Sequence, residues 1–285
     1  MLTADQIARF HRDGFLLLPG LLSPEQATLL AARFEPLFKG EFETGVWPDE
    51  WHWREGMSLP DVTRHMANAW KSDRAVARHA LNPKLGELAA ELMGWPGTRL
   101  GQDTIWWKTP LAKEIALHQD CTYISYLDPA EMATCWVALD DTFADAGTIE
   151  YVPGSHRWPL VPDIGEFHAP DRDYRARMRD SARTAGFEPP EPVKIEAKAG
   201  DAIIHDGRTW HGSGPNLRSD RMRRSIGVHM LSSDTRFRPE GAGYIYGRYQ
   251  RPGRTEMEDC FFPTLWRCDG VRSAELAHYL RAAGA

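Results

Sequence analysis

Apolar residues recur at three- and four-residue spacing in the first part of the chain and in short alternating runs in the second, with the change near Arg99. Thr3 precedes Gln6 by three positions, and Ser23 precedes Gln26 with Pro24 between them. Both fit the capping box, in which an N-cap hydroxyl and the side chain three residues on satisfy each other's orphan backbone groups. This predicts helices over 4–12 and 24–38, with a strand over 15–18 between them. Residues 40–60, rich in Trp, Gly and Pro, read as irregular, and a helix is expected over 72–93. Then β-prone runs alternate with Gly, Pro and Asp breakers, at 104–108, 115–123, 133–139, 148–152, 193–197, 202–205 and 225–231. Residues 160–190 are charged and helix-prone and read as an insertion between strands.

Short strands at this spacing suggest a β-sandwich or barrel. The expected fold is mainly β with flanking helices: one domain with a double-stranded β-helix (jelly roll, cupin-like) core over about 99–235. A helical part, about 1–98, precedes it and a segment of about 236–285 follows. The chain of 285 residues is 42% hydrophobic and 26% charged, enough for a sizeable core. Its net charge of -6 argues against a nucleic-acid partner, which calls for a clustered basic surface. The apolar run 14–22 is interrupted by Pro19 and is too short to span a bilayer. Cys121, Cys135, Cys260 and Cys268 form no C-x-x-C pair and read as reduced, mostly buried thiols. A cytoplasmic protein with no membrane partner is expected; nothing in the sequence speaks to oligomeric state.

The first candidate chemistry is His118-Gln119-Asp120. On a strand, residues two apart project to one face, so an imidazole and a carboxylate reach the same metal. With one more distant histidine they form the two-histidine, one-carboxylate triad of non-haem iron(II) oxygenases. The motif alone is weak, because His11-Arg12-Asp13 also matches, at the end of an amphipathic helix where it reads as solvated surface. Candidates for the third ligand are His156, His168, His205, His211, His229 and His278. His211 is favoured by the Gly-Ser-Gly-Pro turn that follows it, with His205 as the main rival. An arginine suits a cosubstrate carboxylate, since its planar fork binds in bidentate fashion. In the run 223–230, period two puts Arg223, Ser225, Gly227 and His229 on a small polar face and Arg224, Ile226, Val228 and Met230 on an apolar one. This favours Arg223 over Arg224; the plainer alternative is a solvated basic loop.

Taken in order, these residues resemble the phytanoyl-CoA dioxygenase family of Fe(II)/2-oxoglutarate oxygenases. The resemblance runs from Asp13-Gly14-Phe15-Leu16 through Leu117-His118-Gln119-Asp120, Trp136 to Asp141, Gly147-Thr148 and Val152 to His156. It ends with Gly200-Asp201, His211-Gly212-Ser213, Asn216 and Arg223. It implies iron(II) held by His118, Asp120 and His211, with 2-oxoglutarate and O₂ as cosubstrates. It further implies Arg223 and Ser213 at the distal carboxylate, and Gln102 and Trp136 beside the cosubstrate. The spacing from His211 to Arg223 is one residue longer than the family pattern. Halogenating relatives replace the carboxylate ligand with a small residue, so Asp120 favours hydroxylation or a related oxidation. The substrate is expected to be a small metabolite, such as an antibiotic precursor, with Tyr123, Asp103, Trp47 and Phe262 as candidates to touch it. Trp47, Trp51 and Trp53, and a second cluster of Tyr244, Tyr246, Phe261, Phe262 and Trp266, read either as lids or as cover for the helices. Alternatives are desaturation, epimerisation or ring formation at the same iron, a zinc hydrolase, and a metal-binding β-sandwich without oxygenase activity.

Overall fold

The computed structural model describes residues 2–162, 165–240, 243 and 246–274. Both capping boxes form: Thr3 caps α1 (Ala4–Asp13) and Ser23 caps α2 (Pro24–Ala31). The helix expected over 24–38 breaks, and α3 (Phe34–Phe38) follows separately. Pro36 lies in α3 and brings no N–H, and its ring crowds the carbonyl four residues earlier, at Ala32. The helix expected over 72–93 also divides. Asp73 caps α4 (Arg74–Ala80), and Asn82 caps α5 (Pro83–Met93), with Pro83 in the first turn. The remaining α-helix among the described residues is α6 (Ala176–Thr184), within the expected insertion.

The strands of the first half are β1 (Phe15–Leu18), β2 (Glu50–Trp51), β3 (Arg64–Ala67), β4 (Gly97–Lys108), β5 (Ile115–His118), β6 (Leu127–Asp128) and β7 (Ala133–Ala138). Those of the second are β8 (Ile149–Tyr151), β9 (Val193–Lys194), β10 (Ala202–Asp206), β11 (His211–Ser213), β12 (Arg223–Ser232), β13 (Arg236–Phe237) and β14 (Thr264–Arg267). One sheet runs β1-β10-β7-β12-β4-β3-β2, with β14 also on β4; a smaller one runs β5-β11-β8-β9. All pairings are antiparallel. Two facing antiparallel sheets with helices on the outside give the β-rich, cupin-like core that the strand spacing predicts.

Period-two alternation decides which side chains meet which layer. On the large sheet, Ile105, Val137, Ile204, Ile226 and Val228 face outward and pack with Phe10, Leu30, Phe34, Leu37, Leu85 and Leu88 of the helices. The inner face of β12 carries Arg223, Gly227 and His229, which line a cavity between the sheets. Trp136 and Ile203 of the large sheet meet Ile149 and Tyr151 of the small one and close the apolar part of the interior. Gly14 ends α1 at φ 84, where a Cβ would stand 2.5 Å from both His156 Nδ1 and Thr209 Oγ1. His156 Nε2 reaches the His11 carbonyl at 3.2 Å, so the Pro-Gly-Ser-His turn clamps the start of the chain. The four cysteines are free, but only Cys121 and Cys135 are buried; Cys260 and Cys268 are exposed. Among the described residues no helix is long and apolar enough to cross a membrane.

Candidate metal centre

His118 ends β5, and Gln119 is extended at φ -119, ψ 122, but Asp120 starts a 3-10 turn, Asp120–Ile124. The strand expected over 115–123 thus stops at His118. One extended residue between them keeps His118 and Asp120 on one side. Gln119 points elsewhere, donating Nε2 to the Arg208 carbonyl and accepting from the Val161 amide. His211 opens β11 and lies in register with His118 across the small sheet. Asp120 Oδ1 stands 3.4 Å from His118 Nε2 and 3.6 Å from His211 Nε2. Ligand atoms of these three residues fall within 4.8 Å of one another.

The hydrogen bonds fix the tautomers. His118 Nδ1 donates to the Ala116 carbonyl and His211 Nδ1 to the Thr209 carbonyl, each at 2.9 Å. Both Nε2 lone pairs therefore face Asp120 Oδ1, as metal ligation requires. Asp120 Oδ2 accepts from Thr134 Oγ1 at 2.7 Å and from His205 Nε2 at 3.2 Å. His205 Nδ1 in turn accepts from the Tyr151 hydroxyl at 2.9 Å. Thr134 Oγ1 accepts from His229 Nδ1 at 3.0 Å, and His229 Nε2 accepts from Thr104 Oγ1 at 2.8 Å. One carboxylate oxygen is thus held by the protein and the other is left for a metal. Burial pushes the Asp120 carboxyl up, but the imidazoles of His211, His118, His205 and His229 outweigh it and hold it well below the usual range. Burial, with His205 and His118 alongside, keeps the His211 imidazole well below its ordinary value. An ionised carboxylate between two imidazoles suits a divalent cation.

The three residues open into a cavity of about 380 Å³. Arg223 enters it from β12, 3% exposed. Its Nη1 donates to Ser225 Oγ at 2.6 Å and its Nε to the Gly147 carbonyl at 3.3 Å; among the described residues it has no carboxylate partner. Burial lowers its pKa to about 10, which leaves a cation that lacks an anion. Arg224 faces the other way and grips Asp140 through Nη2 at 2.6 Å and Nε at 2.9 Å. Ser213, Gln102 and Trp136 also line the cavity, and the buried Gln102 Oε1 has no hydrogen-bond partner. The Trp136 ring lies 5.8 Å from the Arg223 guanidinium.

The substrate candidates divide. Tyr123 lines the cavity, its ring 6.2 Å from that of His118. Asp103 does not, because it alternates with Gln102 and Thr104 on β4 and faces the helical layer, where Oδ1 accepts from the Trp70 amide. Trp47 is 60% exposed and packs edge-on to Phe42 and Trp51, away from the cavity. Phe262 is fully buried with Phe237, Tyr246, Cys121 and Ile124, supporting the turn behind Asp120. Trp53 packs edge-on against Phe38, so this part of the Trp-rich segment covers helices. Tyr244 and His278 lie outside the described residues. Sequence reasoning missed Thr134 as a partner of Asp120, and it missed the far wall: Glu50, His52, His65, Trp106 and Phe167, together with His168, which it named only as a candidate metal ligand. Phe167 and His168 come from the insertion, and β2 and β3 are too short to show a period. The polar face read on β12 was the one available signal, and it pointed to His229.

The family model for phytanoyl-CoA dioxygenase matches residues 10–225. A phytanoyl-CoA dioxygenase of Arabidopsis thaliana is 26% identical over 272 residues, covering 82% of this chain and 90% of that protein. The solved non-haem α-ketoglutarate-dependent carbocyclase SnoK of nogalamycin biosynthesis superposes with a TM-score of 0.71 at 26% identity, covering 92% of this chain and 96% of that one. The epimerase SnoN, solved with Fe3+, α-ketoglutarate and nogalamycin RO, gives 0.68 at 25%, covering 92% and 98%.

Proposed function

The chain belongs to the phytanoyl-CoA dioxygenase family, and from that premise we propose that it is a non-haem iron(II) dioxygenase that uses 2-oxoglutarate and O₂ to oxidise a C–H bond of a small organic molecule. The observation that carries the reading is the divided Asp120 carboxylate, with Oδ2 bound to Thr134 and His205 and Oδ1 turned to the Nε2 atoms of His118 and His211.

In this reading His118, Asp120 and His211 would hold the iron. Bound iron supplies the redox chemistry that couples decarboxylation of 2-oxoglutarate to substrate oxidation. The protein supplies position and charge. Arg223 binds the distal carboxylate of 2-oxoglutarate by a charge-assisted pair, with Ser213 beside it. Gln102 lines the same cavity, and Trp136 walls the cosubstrate in. Gly227 lines the same cavity, and a Cβ there would crowd Thr104 Oγ1 at 3.1 Å. Buried side chains exclude bulk water from the reacting atoms. The net charge of -6 speaks against a nucleic-acid partner, and the four unpaired cysteines suit a cytoplasmic enzyme.

Anaerobic addition of Fe(II) and then 2-oxoglutarate is expected to give a weak visible charge-transfer band, and Asp120→Ala to abolish both that band and succinate formation. Retained turnover by Asp120→Ala with iron bound would sink the assignment. The carbocyclase and epimerase relatives favour a second outcome at the same iron. Product mass separates the outcomes: hydroxylation adds one oxygen, ring closure or desaturation removes two hydrogens, and epimerisation changes nothing.

A further inference from the structure

The cavity wall opposite the small sheet is built from imidazoles. Cross-strand register sets His65 of β3 against Trp106 of β4, and their rings stack at 4.1 Å and 7°. His52 covers the other face of His65 at 5.0 Å and 5°. His168, from the insertion, closes on the same ladder at 5.5 Å from His65 and 5.9 Å from Trp106. Both faces of the His65 ring are therefore occupied, and only its edge is free to bind anything. That edge carries Nδ1 and Nε2, both buried and both without a hydrogen-bond partner, in a residue only 8% exposed. Buried polar atoms are nearly always paired, so two on one ring that lines a cavity point to a ligand.

The chemistry of the wall selects that ligand. Burial and the neighbouring imidazoles hold His65 well below its ordinary pKa, and burial with His52 nearby brings His168 down to about 4. A neutral imidazole offers one donor and one acceptor. A hydroxyl matches both, whereas carboxylate or phosphate wants donors alone and an ammonium wants acceptors alone. The nearby carboxylate of Glu50 is engaged by His52 Nε2 at 2.9 Å and Arg248 at 3.6 Å. Arg223 is the one arginine or lysine lining the cavity among the described residues, and the proposed function assigns it to 2-oxoglutarate. The wall is not a second metal centre: among the described residues His118, Asp120 and His211 are the only group of three or more such side chains whose ligand atoms all lie within 4.8 Å of one another. It does reach the reacting centre, since the Phe167 ring lies 5.8 Å from Trp106 and 4.6 Å from His118.

We propose that the His52–His65–His168 wall is the substrate subsite and that it takes a neutral, hydroxyl-bearing organic molecule, not a polyanion such as an acyl-CoA ester. This rests on the oxygenase reading of the same cavity. The test uses the full chain labelled with ¹⁵N-histidine and loaded with diamagnetic zinc and 2-oxoglutarate. Phenyl β-D-glucoside, phenyl phosphate and octanoyl-CoA are titrated in turn, and His65→Phe assigns the His65 ring signals. The glucoside moves those signals, and His65→Phe weakens its binding about tenfold, the loss expected for one or two neutral hydrogen bonds. The affinity for 2-oxoglutarate stays the same in the variant. An unmoved His65 signal on adding the glucoside overturns the proposal, as does equal or tighter binding of the phosphate or the thioester. Weakened 2-oxoglutarate binding in His65→Phe also overturns it, by making the wall part of the cosubstrate site. The wild-type titrations decide the point even where the variant does not fold. Loss of the charge-transfer band in the iron-loaded chain fails the oxygenase reading instead, and leaves the His65 measurement standing.

Discussion

Thr134 Oγ1 lies 2.7 Å from Asp120 Oδ2, and this contact turns the other carboxylate oxygen toward His118 and His211. The hydroxyl stands on β7, in the large sheet, while Asp120 follows β5 of the small one. The two sheets are thus joined at Asp120 by a hydrogen bond.

Replacing Thr134 with valine keeps its shape and removes the hydroxyl. Outer partners of metal ligands are worth roughly 10–100-fold in metal affinity. An anaerobic Fe(II) titration of Thr134→Val is expected to show a loss in that range, with some loss of thermal stability because His229 Nδ1 gives up its acceptor. Unchanged affinity removes Thr134 from the metal centre.

Arg223 and Arg224 are expected to behave oppositely. Arg223→Ala takes the cation from the cavity and raises the KM for 2-oxoglutarate by roughly 10–100-fold, the scale of a hydrogen bond to a charged group. Arg224→Ala breaks the pair with Asp140 and the bond to the Ala31 carbonyl, and lowers stability with little change in that KM. Steady-state kinetics beside thermal unfolding of both variants checks the assignment; the reverse pattern refutes it.

Which arginine enters the cavity was legible because β12 runs for ten residues and alternates polar with apolar along its length. His118 and Asp120 were legible for a less secure reason. The strand argument placed both on β5, yet Asp120 sits in the turn after it and shares a face with His118 only because Gln119 stays extended. The breaks at Pro36 and Pro83 show local covalent constraint overriding a helical apolar pattern that would otherwise run on. The imidazole wall left no trace in the sequence. It is assembled from a two-residue strand, a four-residue strand and an irregular insertion, and cross-strand contact, not spacing along the chain, brings its rings together.

Asp73 is fully buried, accepts from the amides of Ala75 and Val76, and pairs with Arg33 at 2.6 Å. Asp73→Ala removes a helix cap and leaves Arg33 without that partner, at a cost of about 2 kcal/mol or more. Asp73→Asn keeps the capping oxygen and costs less. Thermal unfolding of the two variants gives the order, and equal losses discount the cap.

His79 is buried on α4 with Nε2 unpaired, and burial brings its pKa down to about 4. The unfolded chain takes up a proton near pH 6.5, while the folded chain resists it until about 4. Stability is therefore present above the unfolded value and lost as pH falls from 6.5 toward 4, by roughly 3 kcal/mol from this one group. His79→Leu is expected to flatten the fall, read as unfolding free energy against pH over that window. A slope identical to the parent's assigns the acid sensitivity elsewhere.

The strand nearest the start of the chain, β1, pairs with β10, so that Phe15 meets His205 and Leu18 meets Ala202. During synthesis, residues 15–18 leave the ribosome long before their partners exist, and they wait while most of the chain is made. Contacts this distant in sequence close slowly. Until β10 arrives, the apolar run that begins at Phe15 has no sheet to join and is exposed to aggregation. Shelter of the nascent chain then matters most over this interval, and added holdase chaperones are expected to raise the soluble yield without touching a residue of the proposed metal site.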